Sequence, residues 1–317
     1  MAGNPDFNRL TSVTLQKIVP KMEDNIFTST PWLYALTHFG EVVTLPGGTN
    51  IQQPLMYAEN RNIGSYAGAD PFLMDEDEGT TAAVFDWKQY GGTVRLKNIE
   101  IAKNSGPQAI LRIVENEVKR LELSIAEALD EMFVVSDGTG NSSKDWNGLT
   151  NLVSDTVILG GIDPAGAGNE WWQSEVTAVS ADLATFAPIR NAYLTVSEGN
   201  DFISTILTTQ AIYAQIDVLF EQRQRFMDPA MANQGFETIK YHNAPIFFDR
   251  NVPTGVVYGL NLKYFTLYKL GPNWFKFSDW MEPINQDLIV KKVKLYGNLA
   301  ISNRKRQFKL TGLTIPA

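Results

Sequence analysis

Between Ser105 and Gly138 the stretch SGPQAILRIVENEVKRLELSIAEALDEMFVVSDG places Ile110, Val114, Val118, Leu121, Ile125, Leu129 and Met132 at intervals of four, four, three, four, four and three. That spacing puts all seven on one face of an α-helix. Ser105 with Gln108 three positions later forms a capping-box start, and Pro107 falls in the first turn, where its missing N–H costs nothing. Asp137 and Gly138 mark the end. Some thirty residues at a helical rise give a rod of roughly 45 Å, long enough to span a whole domain.

The segments before the rod have a different texture. Residues 1–40 mix short helical patterns with breakers, as in LTSVTLQKIVP and STPWLYALTHFG, where Pro20, Pro31 and Gly40 punctuate pieces too short to fold alone. Such an arm has to lie on something else. From Glu41 to Lys103 the period changes to that of strands: VVTLPGGTNIQQPLMY and AAVFDWKQYGGTVRLKNIEIA read as two extended limbs. Between them lies the polar loop NRNIGSYAGADPFLMDEDEGT, so the region reads as an extended hairpin with little core of its own. After the rod, helices and strands alternate. ADLATFAPIRNAYLTVSEG reads as a helix interrupted near Pro188, QAIYAQIDVLFEQRQRF as an amphipathic helix, and FISTILTT, TIKYHNAPIFFD, GVVYGLN and YFTLYKL as short strands, which makes a mixed α+β unit. The closing segment alternates strictly: Ile289, Val293, Leu295, Leu299 and Ile301 share one face, and Lys292, Lys294, Tyr296, Asn298 and Ser302 the other. Lys291 intrudes on the apolar face.

Composition excludes several chemistries. The 317 residues contain no cysteine, so there is no disulfide framework, thiolate metal site or cysteine nucleophile, and the chain suits a reducing cytoplasm. Its two histidines, His38 and His242, have no acidic or histidine partner at ligand spacing and read as packing residues. The start MAGNPDFNRL lacks a secretory pattern, and no apolar run approaches the ~20 residues of a membrane helix. GTGNSSK lacks the spacing of a phosphate-cradling loop. Asp75, Glu76, Asp77 and Glu78 lack the alternating ligands and central glycine of a calcium loop and read as a solvated tip. Trp171-Trp172 could stack on a sugar beside two carboxylates, but nothing singles out two among 35 acids. A serine nucleophile would need a GxSxG elbow, which is absent. The expectation is a protein without catalytic residues, cofactor or metal.

Charge is distributed unevenly. The chain carries −8 overall, yet Lys291, Lys292, Lys294, Arg304, Lys305, Arg306 and Lys309 all lie between Leu288 and the end, where there is no acid. One reading is nucleic-acid binding, with each phosphate contact making affinity fall with salt. Against it stand the acidic remainder and the lack of a recognition-helix pattern.

The order of these parts resembles the major capsid proteins of tailed bacteriophages, the Hong Kong-97-type fold. The resemblance is carried by TPWLYAL in the arm, FDWKQYGG on the second hairpin limb, the helix followed by WNGLTNLV, GGID at 160–163 with Trp171-Trp172, and YGNLAISNRKRQF near the end. It covers nearly the whole chain. It implies an N-terminal arm (1–40), an extended β-hairpin or E-loop (41–103), a peripheral domain (104–149 and 286–317) with a spine helix at 105–137, and an axial domain (150–285). It implies a virion coat protein, assembled in the bacterial host cytoplasm, whose pentamers and hexamers form an icosahedral head around double-stranded DNA, with hairpin and arm lying on adjacent subunits. The chain's partners are then other copies of itself, with a separate scaffolding protein, a portal and cement proteins as further candidates, DNA held only by weak non-specific contact, and no membrane. In a ring of identical copies, opposite charges on two patches of one chain attract between neighbours. Arg304, Lys305 and Arg306 are therefore expected to meet acids on a neighbour, such as Asp75, Glu76, Asp77 and Glu78. Two departures from the type member carry expectations. The arm begins near residue 5, so a separate scaffolding protein, or none, is expected. The tip from Arg61 to Thr80 contains no lysine, so no autocatalytic cross-link is expected.

Overall fold

The computed structural model describes residues 30–75, 78–103, 113–221, 239–271 and 273–315. In chain order these form α1 (Pro31–Phe39), β1 (Glu41–Leu45), β2 (Ile51–Met56), β3 (Thr80–Phe85), β4 (Lys88–Lys97), α2 (Asn98–Lys103), α3 (Ile113–Val135) and α4 (Leu149–Leu152). There follow β5 (Glu175–Ala178), α5 (Ala187–Val196), β6 (Thr205–Thr208), α6 (Gln210–Glu221), β7 (Ile239–Tyr241), β8 (Ala244–Phe248), β9 (Val257–Leu260), β10 (Phe265–Leu270), β11 (Lys276–Phe277), β12 (Leu288–Ile301) and β13 (Phe308–Thr311). The chain divides into two compact units; among the described residues the smaller comprises 92–125 and 277–293, and the larger comprises the rest.

A six-stranded mixed sheet in the order β5-β13-β9-β6-β8-β7 organises the larger unit. Its central strands β6 and β9 are buried along their whole length, which is why TILT and VYGL read as runs without alternation. α5 and α6 cover it, bringing Ile189, Tyr193, Ile212 and Ile216 against Ile206, Ile246, Val257 and Phe308. Each such aliphatic side chain contributes about 1.5–3 kcal/mol on burial. Pro188 does not interrupt α5. It lies in the first turn, where the ring's fixed φ favours the helix and no hydrogen bond is lost.

A second core in the same unit gathers around Trp146. The Phe133 ring lies 5.7 Å from it and Trp274 5.9 Å, while Trp32 of α1 meets Phe265 edge-on at 5.8 Å. α3 presents Leu129 and Phe133 here, both buried, and stops where Gly138 takes φ +75°. The WNGL turn that follows is pinned to the last long strand by amides. Asn298 Oδ1 accepts from the Asn147 backbone N–H at 3.1 Å, and Asn147 Nδ2 donates to the Leu299 carbonyl at 3.0 Å. Asn298, expected on a polar strand face, is thus buried, because beyond Tyr296 β12 is covered on both faces.

The region read as one long hairpin is built differently. β1 pairs in parallel with β10, Glu41 opposite Thr266, and the chain breaks direction around Gly48 before β2 begins. β2 and β3 alone form the hairpin, with Ile51 opposite Phe85 and Met56 opposite Thr80. Its root is not free of the body. Ile51, Leu55, Ala83 and Phe85 are buried, and Val84 N–H donates to the Gly160 carbonyl at 2.9 Å. Gly160 has φ +63°, and a Cβ there would stand 2.6 Å from that of Ala83, so the GGID turn must be glycine to receive the hairpin. Trp171 stacks on Tyr57 at 5.4 Å, and Trp172 is buried with its Nε1–H on the Leu159 carbonyl at 3.1 Å. The paired tryptophans therefore seat the hairpin.

In the smaller unit the second half of β4 lies close on α3: a Cβ on Gly92 would come 2.6 Å from Leu121 Cδ1. Residues 277–293 fold back on themselves, Met281 pairing with Val290 through bonds of 3.0 and 2.8 Å. The Asn98 side chain ties this turn to the start of α2, donating to Glu282 Oε1 (2.9 Å) and Asp287 Oδ1 (2.6 Å). Lys291, the intruder on an apolar face, holds its ammonium 5.1 Å from the Phe277 ring centre and 5.5 Å from that of Trp280. Ser105, Pro107, Gln108, Ile110 and the arm up to residue 29 lie outside the described residues.

Gly259 on β9 faces Phe308 on β13, and a Cβ there would lie 2.0 Å from the Phe308 ring. Gly259→Ala should cost about 1–3 kcal/mol by overpacking. Phe308→Leu in the same chain should recover part of that loss, read as a less-than-additive midpoint shift in urea unfolding.

Candidate functional site

The expected contact residues fall at two places. The first is the turn between β12 and β13. Arg304 is fully buried, and all three guanidinium nitrogens donate to backbone carbonyls: Nε to Leu152 at 3.1 Å, Nη1 to Val157 at 3.0 Å and Nη2 to Asn151 at 3.0 Å. The planar fork that suits arginine to bidentate acceptors here closes the loop after α4. Burial pushes its pKa down to about 10, with Asp155 pulling the other way, so it stays charged at neutral pH. Arg306 is also engaged. Nη1 donates to the Val196 carbonyl at 3.2 Å, the guanidinium pairs with Glu198, and Nε lies 3.8 Å from Asp201. The Arg306 contact holds the Glu198 carboxyl below its ordinary value. Asp201 in turn accepts from Tyr264 Oη and from Asn261 Nδ2 at 2.9 Å, and Gln307 Oε1 accepts from Asn261 N–H at 2.7 Å. Burial and the Asp201 contact push the Tyr264 hydroxyl up to about 12.

The guanidinium expected to meet a neighbour's acids is thus satisfied by carbonyls of its own chain, since a buried guanidinium must find its acceptors where it lies. Arg306 is mostly committed in the same way, while Lys305 is exposed. Lys309 is half-buried beside Tyr258, and burial lowers its pKa. Among the described cations of this segment, Lys292, Lys294 and Lys305 face solvent.

The second place is the hairpin tip. The Asn62 side chain bridges it, Nδ2 donating to the Asp75 carbonyl at 2.6 Å and Oδ1 accepting from Asp75 N–H at 3.0 Å. Tyr66 and Phe72 rest on each other at 4.8 Å. The tip is therefore a formed loop, and it shows large apolar side chains to solvent: Ile63 is 74% exposed, Phe72 66% and Met74 88%. Asp75 and Glu78 are exposed beside them, and Glu76 and Asp77 lie outside the described residues. Within one chain no ion pair among the described residues joins Asp75 or Glu78 to the basic turn, and the expected pairing is one between copies.

Sequence reasoning missed a third feature. Asp130 on α3 and Asp249 after β8 are both buried and in contact, and nothing in the local sequence of either signals the other. Among the described residues no group of three or more His, Asp or Glu is placed to hold a metal.

No protein-family model matches the chain, and no curated protein sequence matches it significantly. Solved structures do. The cyanophage A-1(L) capsid subunit superposes with a TM-score of 0.73 at 14% identity, over 96% of this chain and 98% of that one. The chain has the Hong Kong-97-type capsid fold. The same capsid fold relates it to the capsid of the native GTA particle, with a TM-score of 0.67 and 11% identity over 99% and 100% of the two chains. A holo-encapsulin complex from Synechococcus elongatus shares the fold too, with a TM-score of 0.63 and 12% identity over 100% and 99%.

Arg304→Lys should lower stability by about 3 kcal/mol, since an ammonium cannot reach all three carbonyls and leaves buried acceptors unpaired. Lys305→Glu, on the exposed side of the same turn, should change it by no more than about 0.5 kcal/mol. Denaturant titration of the two variants separates the internal staple from the free surface charge.

Proposed function

We propose that the chain is the major capsid protein of a tailed-phage head, a coat subunit that assembles with its own copies into pentamers and hexamers of an icosahedral shell enclosing double-stranded DNA. The observation that carries this reading is the extent of the likeness to the cyanophage capsid subunit, which takes in 96% of this chain and so reaches beyond a common core. The arm would be 1–40, the extended-loop region 41–103, within which β2 and β3 form the hairpin itself, the peripheral domain 104–149 with 286–317, and the axial domain 150–285. The role is structural rather than enzymatic, the place is the virion, and assembly occurs in the host cytoplasm. Scaffolding, portal and cement proteins are the further partners.

The hairpin tip supports self-association. A formed loop that holds Ile63, Tyr66, Phe72 and Met74 in water is unfavourable for an isolated subunit and favourable once a neighbour covers it. Asp75 and Glu78 would then approach Lys305 or the lysines of β12 on another copy. The rival nucleic-acid reading loses ground, because Arg304 and Arg306 contact carbonyls and acids of their own chain. The glycosidase reading fares no better: Asp130, its carboxyl raised by burial, is 1% exposed.

Purified protein viewed by negative-stain microscopy should show rings or closed shells, and a chain that stays monomeric at high concentration overturns the reading. Phe72→Asp with Met74→Asp should abolish assembly while leaving the unfolding midpoint of the subunit within about 0.5 kcal/mol. Lys305→Glu should weaken assembly, and Asp75→Lys with Glu78→Lys should restore it; failure of the restoration removes that charge pairing and leaves the shell reading standing.

A further inference from the structure

The turn after β8 meets α3 through three consecutive residues. Arg250 pairs with Glu127 at the surface; one helical turn along, Asn251 Nδ2 donates to Asp130 Oδ2 at 2.9 Å; and Asp249 lies against Asp130 within hydrogen-bonding contact. Both carboxyl groups are buried, 1% and 3% exposed. Asp130 Oδ1 also accepts from Leu33 N–H of α1 at 2.8 Å, and Asp249 Oδ1 from Asn251 N–H at 2.8 Å. That leaves Asp249 Oδ2 buried with no donor from any other group. Two carboxylates cannot both stay ionised at this separation in a poorly solvated place, and the contact becomes a hydrogen bond as soon as one carries a proton.

The surrounding charges do not relieve the pair. Among the described residues Asp249 is the charged neighbour that acts on Asp130; Arg250 is turned to Glu127, and α1 carries Tyr34 and His38, whose ring Nδ1 sits on the Tyr34 carbonyl at 3.0 Å. Burial first, and then Asp249, push the Asp130 carboxyl up to about 8, against the weaker opposing pull of Leu33 N–H and Asn251.

We propose that Asp130 and Asp249 form a one-proton joint: the proton they share closes the turn after β8 onto α3, and each opening of that contact releases it to solvent. The joint belongs to a single chain and does not rest on the shell reading. Its sign follows from linkage. The closed form keeps the proton up to about pH 8, whereas an opened, solvated pair loses it near the ordinary value of 3.8. Between those limits opening frees one proton, so the closed joint weakens about tenfold per pH unit as pH rises, and above the upper limit the dependence ends.

Hydrogen-exchange mass spectrometry on the full-length chain reads this directly in peptides covering 126–135 and 245–253. After correction for intrinsic exchange, opening should rise about a hundredfold from pH 6 to pH 8 and then level off. Infrared titration should show a protonated-carboxyl band at pH 7 that disappears near pH 8. Asp130→Asn, which keeps an N–H donor facing Asp249, should remove the band and flatten the exchange profile; Asp249→Asn should move the band's midpoint down and serves if the first variant does not fold. Parallel exchange profiles in the native chain and Asp130→Asn, a missing band at pH 7, or an unmoved midpoint in Asp249→Asn would each overturn the proposal.

Discussion

A buried guanidinium has to be satisfied where it stands, and much of the larger unit follows from how this one is. Desolvating Arg304 is costly, and three carbonyls, two at the end of α4 and one in the loop after it, offset the cost only if that segment is held in one conformation. The loop after α4, the β12–β13 turn and the covering Trp172 ring, 5.8 Å from the guanidinium, are therefore fixed together. Through Arg306, Glu198 and Asp201 the same turn fixes the end of α5, and through Gln307 and Asn261 it fixes the turn before β10. Three residues of one turn, Arg304, Arg306 and Gln307, so tie the last two strands to elements 46 to 153 residues earlier.

That arrangement explains why the buried role of Arg304 is not legible in the basic end of the chain. A count of charges cannot distinguish a guanidinium on a surface from one that closes a loop; the difference lies in carbonyls at 151, 152 and 157, which carry no side-chain signature. Lys291 was legible as an exception to the alternation, and its reason, Phe277 and Trp280, sits just upstream in the sequence. Asn298 was not legible, since a polar residue at a polar position looks correct until a second layer covers that face.

Periodic elements were the easiest to read. α3 declared itself through its apolar face, and α6 and most of the short strands did so through spacing and flanking breakers. Pairing was harder. VVTL and IQQPLM lie five residues apart and look like one limb, yet β1 joins β10 while β2 joins β3, because partner choice depends on residues some two hundred positions away. Pro188 shows a related ambiguity. The same residue ends a helix when it falls inside the pattern and begins one when it falls in the first turn, and Phe186 and Ala187 were too weak a boundary to decide.

The hairpin is closed at its root and open at its tip. Its root is closed by apolar burial, a backbone bond to Gly160 and a stacked tryptophan, so it is held in place without a partner. Its tip is bridged by the bonds of Asn62 with Asp75 and by Tyr66 resting on Phe72, which fix the loop's shape and still leave its large apolar side chains mostly exposed. With the Asn62 amide fixing the loop's shape, Phe72, Leu73 and Met74 stay exposed and the ordering entropy of the tip is met within the chain itself, so any surface that covered them would gain their burial without first having to organise them.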